Sequence, residues 1–224
     1  MIHSFSLNRK RNAQPSIRFE KVEAILHKLI NKVYLCIKKE KQLLMPKHPA
    51  VFLDRDGTII EDVGYIHHSS LVAFYPFSFK ALQTLQNHFL LFIVTNQSGI
   101  AKGIVTEKQV IAVNQHITDE LRSNEIAVYD TFYCPHKNED ACHCKKPSPF
   151  FLNLAARLYN VDLSRSFIIG DHPSDVECGT NAGVTPIYVK SGHGAKHQSE
   201  LNHEVHICGD LLEASELILS TIKR

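Results

Sequence analysis

The sequence predicts an α/β fold in which a central parallel sheet is covered by helices on both faces. Short apolar runs at Ala50–Leu53, Phe89–Val94, Phe167–Ile169 and Thr185–Val189 read as strands buried on both sides. Helical patterns alternate with them at about 77–87, 106–123, 149–159, 173–182 and 210–222, and that alternation builds parallel sheets. Thr106 with Gln109 makes a capping box for the second helix, and Pro149 suits the first turn of the third. The 224 residues suffice for one substantial core. No apolar run approaches the ~18 residues that span a bilayer.

Charge divides the chain. Residues 1–48 carry 11 Lys/Arg against 3 Asp/Glu, a balance of +8, while residues 49–224 carry 14 against 20, a balance of −6. We read 1–48 as a basic extension and 49–224 as the folded domain. Within the extension, Val22, Ile25, Leu26, Leu29, Ile30, Val33 and Ile37 fall on one face of a helix over about 21–44. That face fits packing on the domain, a dimer through a second copy, or a membrane surface. An acid-free first 19 residues would also suit a transit peptide, and Met45 could itself start the protein. The basic segment lacks interleaved aromatics, which argues against nucleic acid as a partner. No secretory pattern opens the chain, and three of the six cysteines crowd into residues 134–144. A reducing, cytoplasmic setting and a metal cluster fit better than disulfides.

Three apolar runs end in residues that a core strand does not need: Asp54-Arg55-Asp56-Gly57-Thr58, Thr95-Asn96-Gln97-Ser98-Gly99 and Gly170-Asp171. Ligands of open parallel sheets bind at those carboxyl ends. The chemistry expected there is phosphoryl transfer. Asp54 can attack phosphorus and split one hard displacement into two. Asp56 can protonate the leaving oxygen and then activate water. Carboxylates facing a phosphate require a hard cation, so Mg²⁺ on Asp54, Asp56 and Asp171 is expected. Thr95, the amides after it and Lys146 would hold the phosphoryl oxygens.

These segments, with Lys146-Pro147 and Gly170-Asp171-His172-Pro173-Ser174-Asp175, resemble the four motifs of haloacid dehalogenase-like phosphatases, in order and across residues 50–190. The resemblance implies a Rossmann-like three-layer fold, with Asp175 standing behind the metal ligands. Without a large insertion between Thr58 and Phe77, or between Ser98 and Cys134, the chain reads as a capless member.

A second cluster narrows the resemblance. Cys134-Pro135-His136, then Cys142-His143-Cys144, place four soft or borderline ligands in one loop. Cys134, His136, Cys142 and Cys144 can close a tetrahedral Zn²⁺ site with no open position, which is a structural role. His143 competes, but the Cys-x-Cys spacing turns it away. The cluster, together with Gly64-Tyr65-Ile66-His67, resembles the D-glycero-D-manno-heptose 1,7-bisphosphate phosphatases, which remove the C7 phosphate on the cytoplasmic route to heptose for lipopolysaccharide and surface glycans. That resemblance implies a small phosphorylated sugar as substrate, touched by Asp62, Gly64, Tyr65, Asn96, Gln97 and Ser98. Lys102 and Lys145 stand where the family commonly has Arg, and His172 where it has Lys or another residue. Lys145, beside Lys146, is the first candidate for a second phosphate and Lys102 the next. Histidinol-phosphate phosphatase shares the zinc loop and the motifs. A non-catalytic scaffold is opposed by the intact Asp54, Asp56, Lys146 and Asp171. A monomer is the expected state.

Overall fold

The computed structural model describes residues 46–201 and 204–222; the predicted 21–44 helix lies outside them. Six strands form one sheet: β1 Ala50–Leu53, β2 Leu90–Asn96, β3 Val128–Cys134, β4 Phe167–Gly170, β5 Thr185–Val189 and β6 His206–Cys208. Their order is β3-β2-β1-β4-β5-β6 and every pairing is parallel. The helices are α1 Ser78–Leu85, α2 Glu107–Ser123, α3 Phe150–Tyr159, α4 Pro173–Ala182, the one-turn α5 Gly194–His197, and α6 Leu211–Ile222.

Successive strand residues point to opposite faces, and both faces are covered. Val51, Leu53, Ile93, Ile169 and Ile187 pack with Leu82 of α1, Ile117 of α2 and Ile218 of α6. Ala50, Phe52, Phe92, Val94 and Ile168 face the other way, onto Leu152 and Ala155 of α3 and Cys178 of α4. All four residues of β1 are fully buried, as its central position requires. Stacked rings of Phe52, Phe92, Phe132 and Phe151 fill this second layer.

Two strands differ from the expectation by their presence. β3 and β6 are the sheet edges, each with a single strand partner. Asp130 and Thr131 interrupt the apolar run in β3, and exposed His206 opens the three-residue β6. β2 also runs on to Asn96, because Thr95 and Asn96 pair with Tyr133 and Cys134. The Thr106–Gln109 capping box forms, while Pro149 caps α3 from one position before its first residue. No separate domain is inserted between β1 and α1 or between β2 and β3, so the fold is capless.

The amino ends of the strands are tied down away from the carboxyl-end loops. Ser166 Oγ accepts from Ala50 N at 2.9 Å and donates to Asp162 O at 2.5 Å, in a fully buried position. His48 already pairs with Val161 beside it. Ser166→Ala leaves the Ala50 amide without a partner, so it should cost about 1–3 kcal/mol of stability. Urea unfolding midpoints check this, with activity per folded molecule expected to hold.

Candidate active site

The strand order reverses between β1 and β4, and their carboxyl ends open the crevice that such a reversal creates. Asp54 follows β1, and its amide donates to Ile169 O at 2.9 Å, locking the two strand ends together. Lys146 enters from the loop after β3. Its Nζ lies 2.7 Å from Asp54 Oδ1, 2.6 Å from Asp175 Oδ1 and 2.8 Å from Val94 O, nearly sealed from water. Asn96 clamps the Lys146 backbone, accepting from its amide at 3.0 Å and donating to its carbonyl at 3.3 Å. Burial alone would lower the Lys146 pKa, but Asp175 and Asp54 more than offset it and hold the ammonium well above its usual range.

Oxygens of Asp54, Asp171 and Asp175 all lie within 4.8 Å of one another. Burial, with the charges of Asp54 and Asp175, pushes the Asp171 carboxyl up to about 8, although the His193 amide donating at 2.8 Å works the other way. Burial also raises Asp54, against the pull of Lys146. Three carboxylates and one ammonium leave a local surplus of two negative charges, the fit expected for a hard divalent cation. Two glycines make room for Asp171. A Cβ on Gly57 (φ +81°) would stand 2.1 Å from Asp171 Oδ2, and one on Gly192 (φ +57°) would stand 2.4 Å from the same atom.

Asp56 is built into a different network. Arg55, fully buried, donates Nε and a guanidinium nitrogen to it at 2.9–3.1 Å and another to Asn114 Oδ1 at 2.6 Å. Gln97 Nε2 and Thr95 Oγ1 reach Asp56 Oδ2 at 2.9 and 3.4 Å. Of the carboxylates expected around Mg²⁺, Asp54 and Asp171 come together. The Asp56 carboxylate is drawn aside by Arg55, and Asp175 joins the cluster through Lys146.

A cleft of about 670 Å³ opens over this centre. Asp62, Gly64 and Tyr65 line it, as do Asn96, Gln97 and Ser98 and, opposite, Lys145 and His172. His172 also caps α4 by accepting from Ser174 N at 3.1 Å; burial, then His197, lowers its pKa. Lys102 does not line the cleft and instead donates to Tyr65 Oη at 2.9 Å. Arg55, Asn114 and His193 were not expected from sequence. The turn Ser191-Gly192-His193-Gly194 after β5 was the available signal for the last.

The four expected zinc ligands also converge. Sγ···Sγ distances among Cys134, Cys142 and Cys144 are 3.1, 3.6 and 3.9 Å, and His136 Nδ1 lies 3.5 and 3.4 Å from Cys134 and Cys144. A tetrahedron with Zn–S bonds of ~2.3 Å has S···S edges of ~3.8 Å, so the group fits zinc. His143 is outside it.

A doubly wound, capless sheet with a largely buried aspartate cluster at the end of its first strand is the arrangement of haloacid dehalogenase-like phosphatases. A family model described as "HAD-hyrolase-like" matches residues 143–214. The D-glycero-beta-D-manno-heptose-1,7-bisphosphate 7-phosphatase of Vibrio cholerae is 37% identical over 161 residues, covering 68% of this chain and 87% of that protein. The alpha-named D-glycero-D-manno-heptose-1,7-bisphosphate 7-phosphatase of Photorhabdus laumondii is 31% identical over 181 residues, 77% of this chain and 97% of that one. Among solved structures, the D,D-heptose 1,7-bisphosphate phosphatase of B. bronchiseptica, complexed with magnesium and phosphate, superposes with a TM-score of 0.72 at 29% identity, covering 77% of this chain and 99% of that one. The chain belongs to the heptose bisphosphate phosphatase family and is a phosphoric monoester hydrolase.

The electrostatics of Asp171 make a signed prediction. Its folded pKa of about 8 exceeds the unfolded 3.8, so the folded state holds a proton that the unfolded state releases. In chelator, that contribution is lost as pH rises from 5 to 8, by at most ~1.4 kcal/mol per pH unit. Asp171→Asn lacks this slope, so its thermal stability should gain on the wild type across that range. Added Mg²⁺ should close the gap by stabilising the ionised wild type. An Asp171→Asn variant that fails to gain on the wild type as pH rises in chelator would refute it.

Proposed function

We propose that this phosphatase hydrolyses the C7 phosphate of D-glycero-D-manno-heptose 1,7-bisphosphate through an aspartyl-phosphate at Asp54. The observation that carries the mechanism is the grip of Lys146 on Asp54 Oδ1 at 2.7 Å, which leaves Oδ2 to face phosphorus. Attack by Oδ2 forms an Asp54–phosphate bond as the ester P–O bond breaks, and the Asp56 carboxyl gives its proton to the leaving sugar oxygen. Water then attacks the same phosphorus, its proton passes to Asp56, and Asp54 is released with inorganic phosphate. Arg55, Gln97 and Asn114 keep Asp56 in position for both transfers. Mg²⁺ held by Asp54 and Asp171 would neutralise phosphoryl charge during the displacement.

Lys145 supports a bisphosphate. It follows a zinc ligand, its Nζ reaches His136 O at 3.4 Å, and it lines the cleft, whereas Lys102 is turned to Tyr65. The distal phosphate would therefore sit on the zinc-loop side. Residues 49–224 carry all of this chemistry, with 1–48 an extension, and no second copy is needed to complete the site. Among the described residues no helix is long and apolar enough to cross a membrane. The five cysteines among the described residues are free, three of them poised for zinc, which suits the reducing cytoplasm.

Turnover of the two heptose bisphosphate anomers and of histidinol phosphate, measured side by side, tests the substrate. A heptose bisphosphate should lead by at least about 10-fold in kcat/KM, and preference for histidinol phosphate would overturn the reading. Asp54→Asn should abolish turnover on all of them without unfolding the protein.

Protein purified without added metal should hold about one tightly bound Zn²⁺ per chain, read by elemental analysis. Cys142→Ser should lose that zinc and reduce activity, because Lys145 and Lys146 follow directly on the ligand Cys144. Fully active protein free of zinc and iron would refute the site.

A further inference from the structure

One wall of the cleft takes no part in the displacement. Asp62, in the loop after β1, and His193, just before α5, both line the cleft and meet across its rim. His193 Nε2 stands 3.1 Å from Asp62 Oδ2, while Asp62 Oδ1 accepts from Gly64 N at 2.8 Å. A carboxylate oxygen accepts, so Nε2 donates to Asp62 and Nδ1 is the ring's remaining hydrogen-bonding atom. No protein partner takes that nitrogen among the described residues, and about half of the side chain (54%) is open to solvent.

The loop behind the ring is fixed. His193 N donates to Asp171 Oδ2, and Ser191 Oγ donates to Gly57 O at 2.7 Å. A half-exposed ring on a rigid loop, with one nitrogen held by a carboxylate, is preorganised for hydrogen bonding rather than for packing. Its partner class follows from charge. Asp62 beside the ring repels a second phosphate, which Lys145 on the zinc-loop side would attract. A neutral hydroxyl can donate to Nδ1 or to the remaining lone pairs of Asp62.

We propose that His193, oriented by Asp62, is a specificity-determining residue that hydrogen-bonds hydroxyl groups of a polyhydroxylated phosphate ester whose phosphate sits at Asp54. This rests on the sugar-phosphate reading above and deepens it. Wild type, His193→Ala, Asp62→Ala and the double variant are compared, with saturating Mg²⁺, on heptose bisphosphate, sorbitol 6-phosphate and p-nitrophenyl phosphate, the last having no alcohol hydroxyl.

The selectivity of His193→Ala, as the ratio of kcat/KM on either polyol phosphate to that on the aryl phosphate, should fall about 10-fold, with most of the change in KM. The double variant should lose no more selectivity than the worse single variant, because the two side chains act as a unit. His193→Asn, which keeps a hydrogen-bonding side chain, should recover part of the loss. Equal losses on all three substrates, or additive losses in the double variant, would overturn the proposal and leave a purely structural strut. Wild type that ignores heptose bisphosphate, while sorbitol 6-phosphate shows the selectivity loss, would count against the proposed substrate and still support the pair.

Discussion

The buried ammonium of Lys146 is the constraint on which the site depends. Taking a single charge out of water costs on the order of several kcal/mol, and one carboxylate seldom repays it. Here Asp54, Asp175 and Val94 O share the three ammonium protons, and Asn96 holds the backbone on either side. Asp54 follows β1, Val94 lies in β2 and Asp175 lies in the first turn of α4 after β4, so the ion network forms only when β1, β2 and β4 stand side by side with the loop after β3 folded across them. In the proposed mechanism the same network sets the chemistry, because Lys146 holds Oδ1 of Asp54 and leaves the other oxygen for attack.

The other features secure a loop at that centre. Convergence of Cys134, His136, Cys142 and Cys144, a group that fits zinc, would place Lys145 and Lys146 without a hydrophobic core in so short a segment. Glycine at 57 and 192 lets two turns close on Asp171 from opposite sides, where any side chain would collide with its carboxylate. Arg55 serves Asp56 as Lys146 serves Asp54: a buried cation fixes each carboxylate, and the two are kept in separate networks. In the proposed mechanism that separation lets one carboxyl bond phosphorus while its neighbour, two residues away, handles protons.

Much of this was legible in the sequence, for definable reasons. A central parallel strand must be apolar along its whole length, so β1, β2, β4 and β5 announce themselves, and the polar residues that end them stand out as site residues. The convergence of Cys134, His136, Cys142 and Cys144 was legible because soft ligands at that spacing have few other uses. Edge strands lack this pressure: Asp130 and Thr131 hide β3. Arg55 gave no signal that it would be buried, since an arginine between two aspartates reads as a solvated turn. Its partner Asn114 sits on the inner face of α2, 59 residues away, and only the fold brings them together. His193 was hidden for a similar reason, because its value comes from a loop that has no chemistry of its own until it touches Asp171.

An uncapped sheet has to obtain selectivity without a lid. With no inserted domain to close over the cleft, the substrate's distant parts meet only the three loops that already serve the catalytic centre. The loop after β1 carries both Asp54 and Asp62, the loop after β3 carries both Lys146 and Lys145, and the loop after β5 carries both the amide that holds Asp171 and the ring of His193. In the proposed reading each recognition residue thus shares a loop with the catalytic centre and inherits its rigidity. A substrate that fits the rim is aligned with Asp54 by the same loops, so binding energy far from the phosphorus can be spent on orientation in the transition state. The arrangement also explains why these loops are held by so many side-chain-to-backbone bonds: slack in any one of them would degrade recognition and catalysis together.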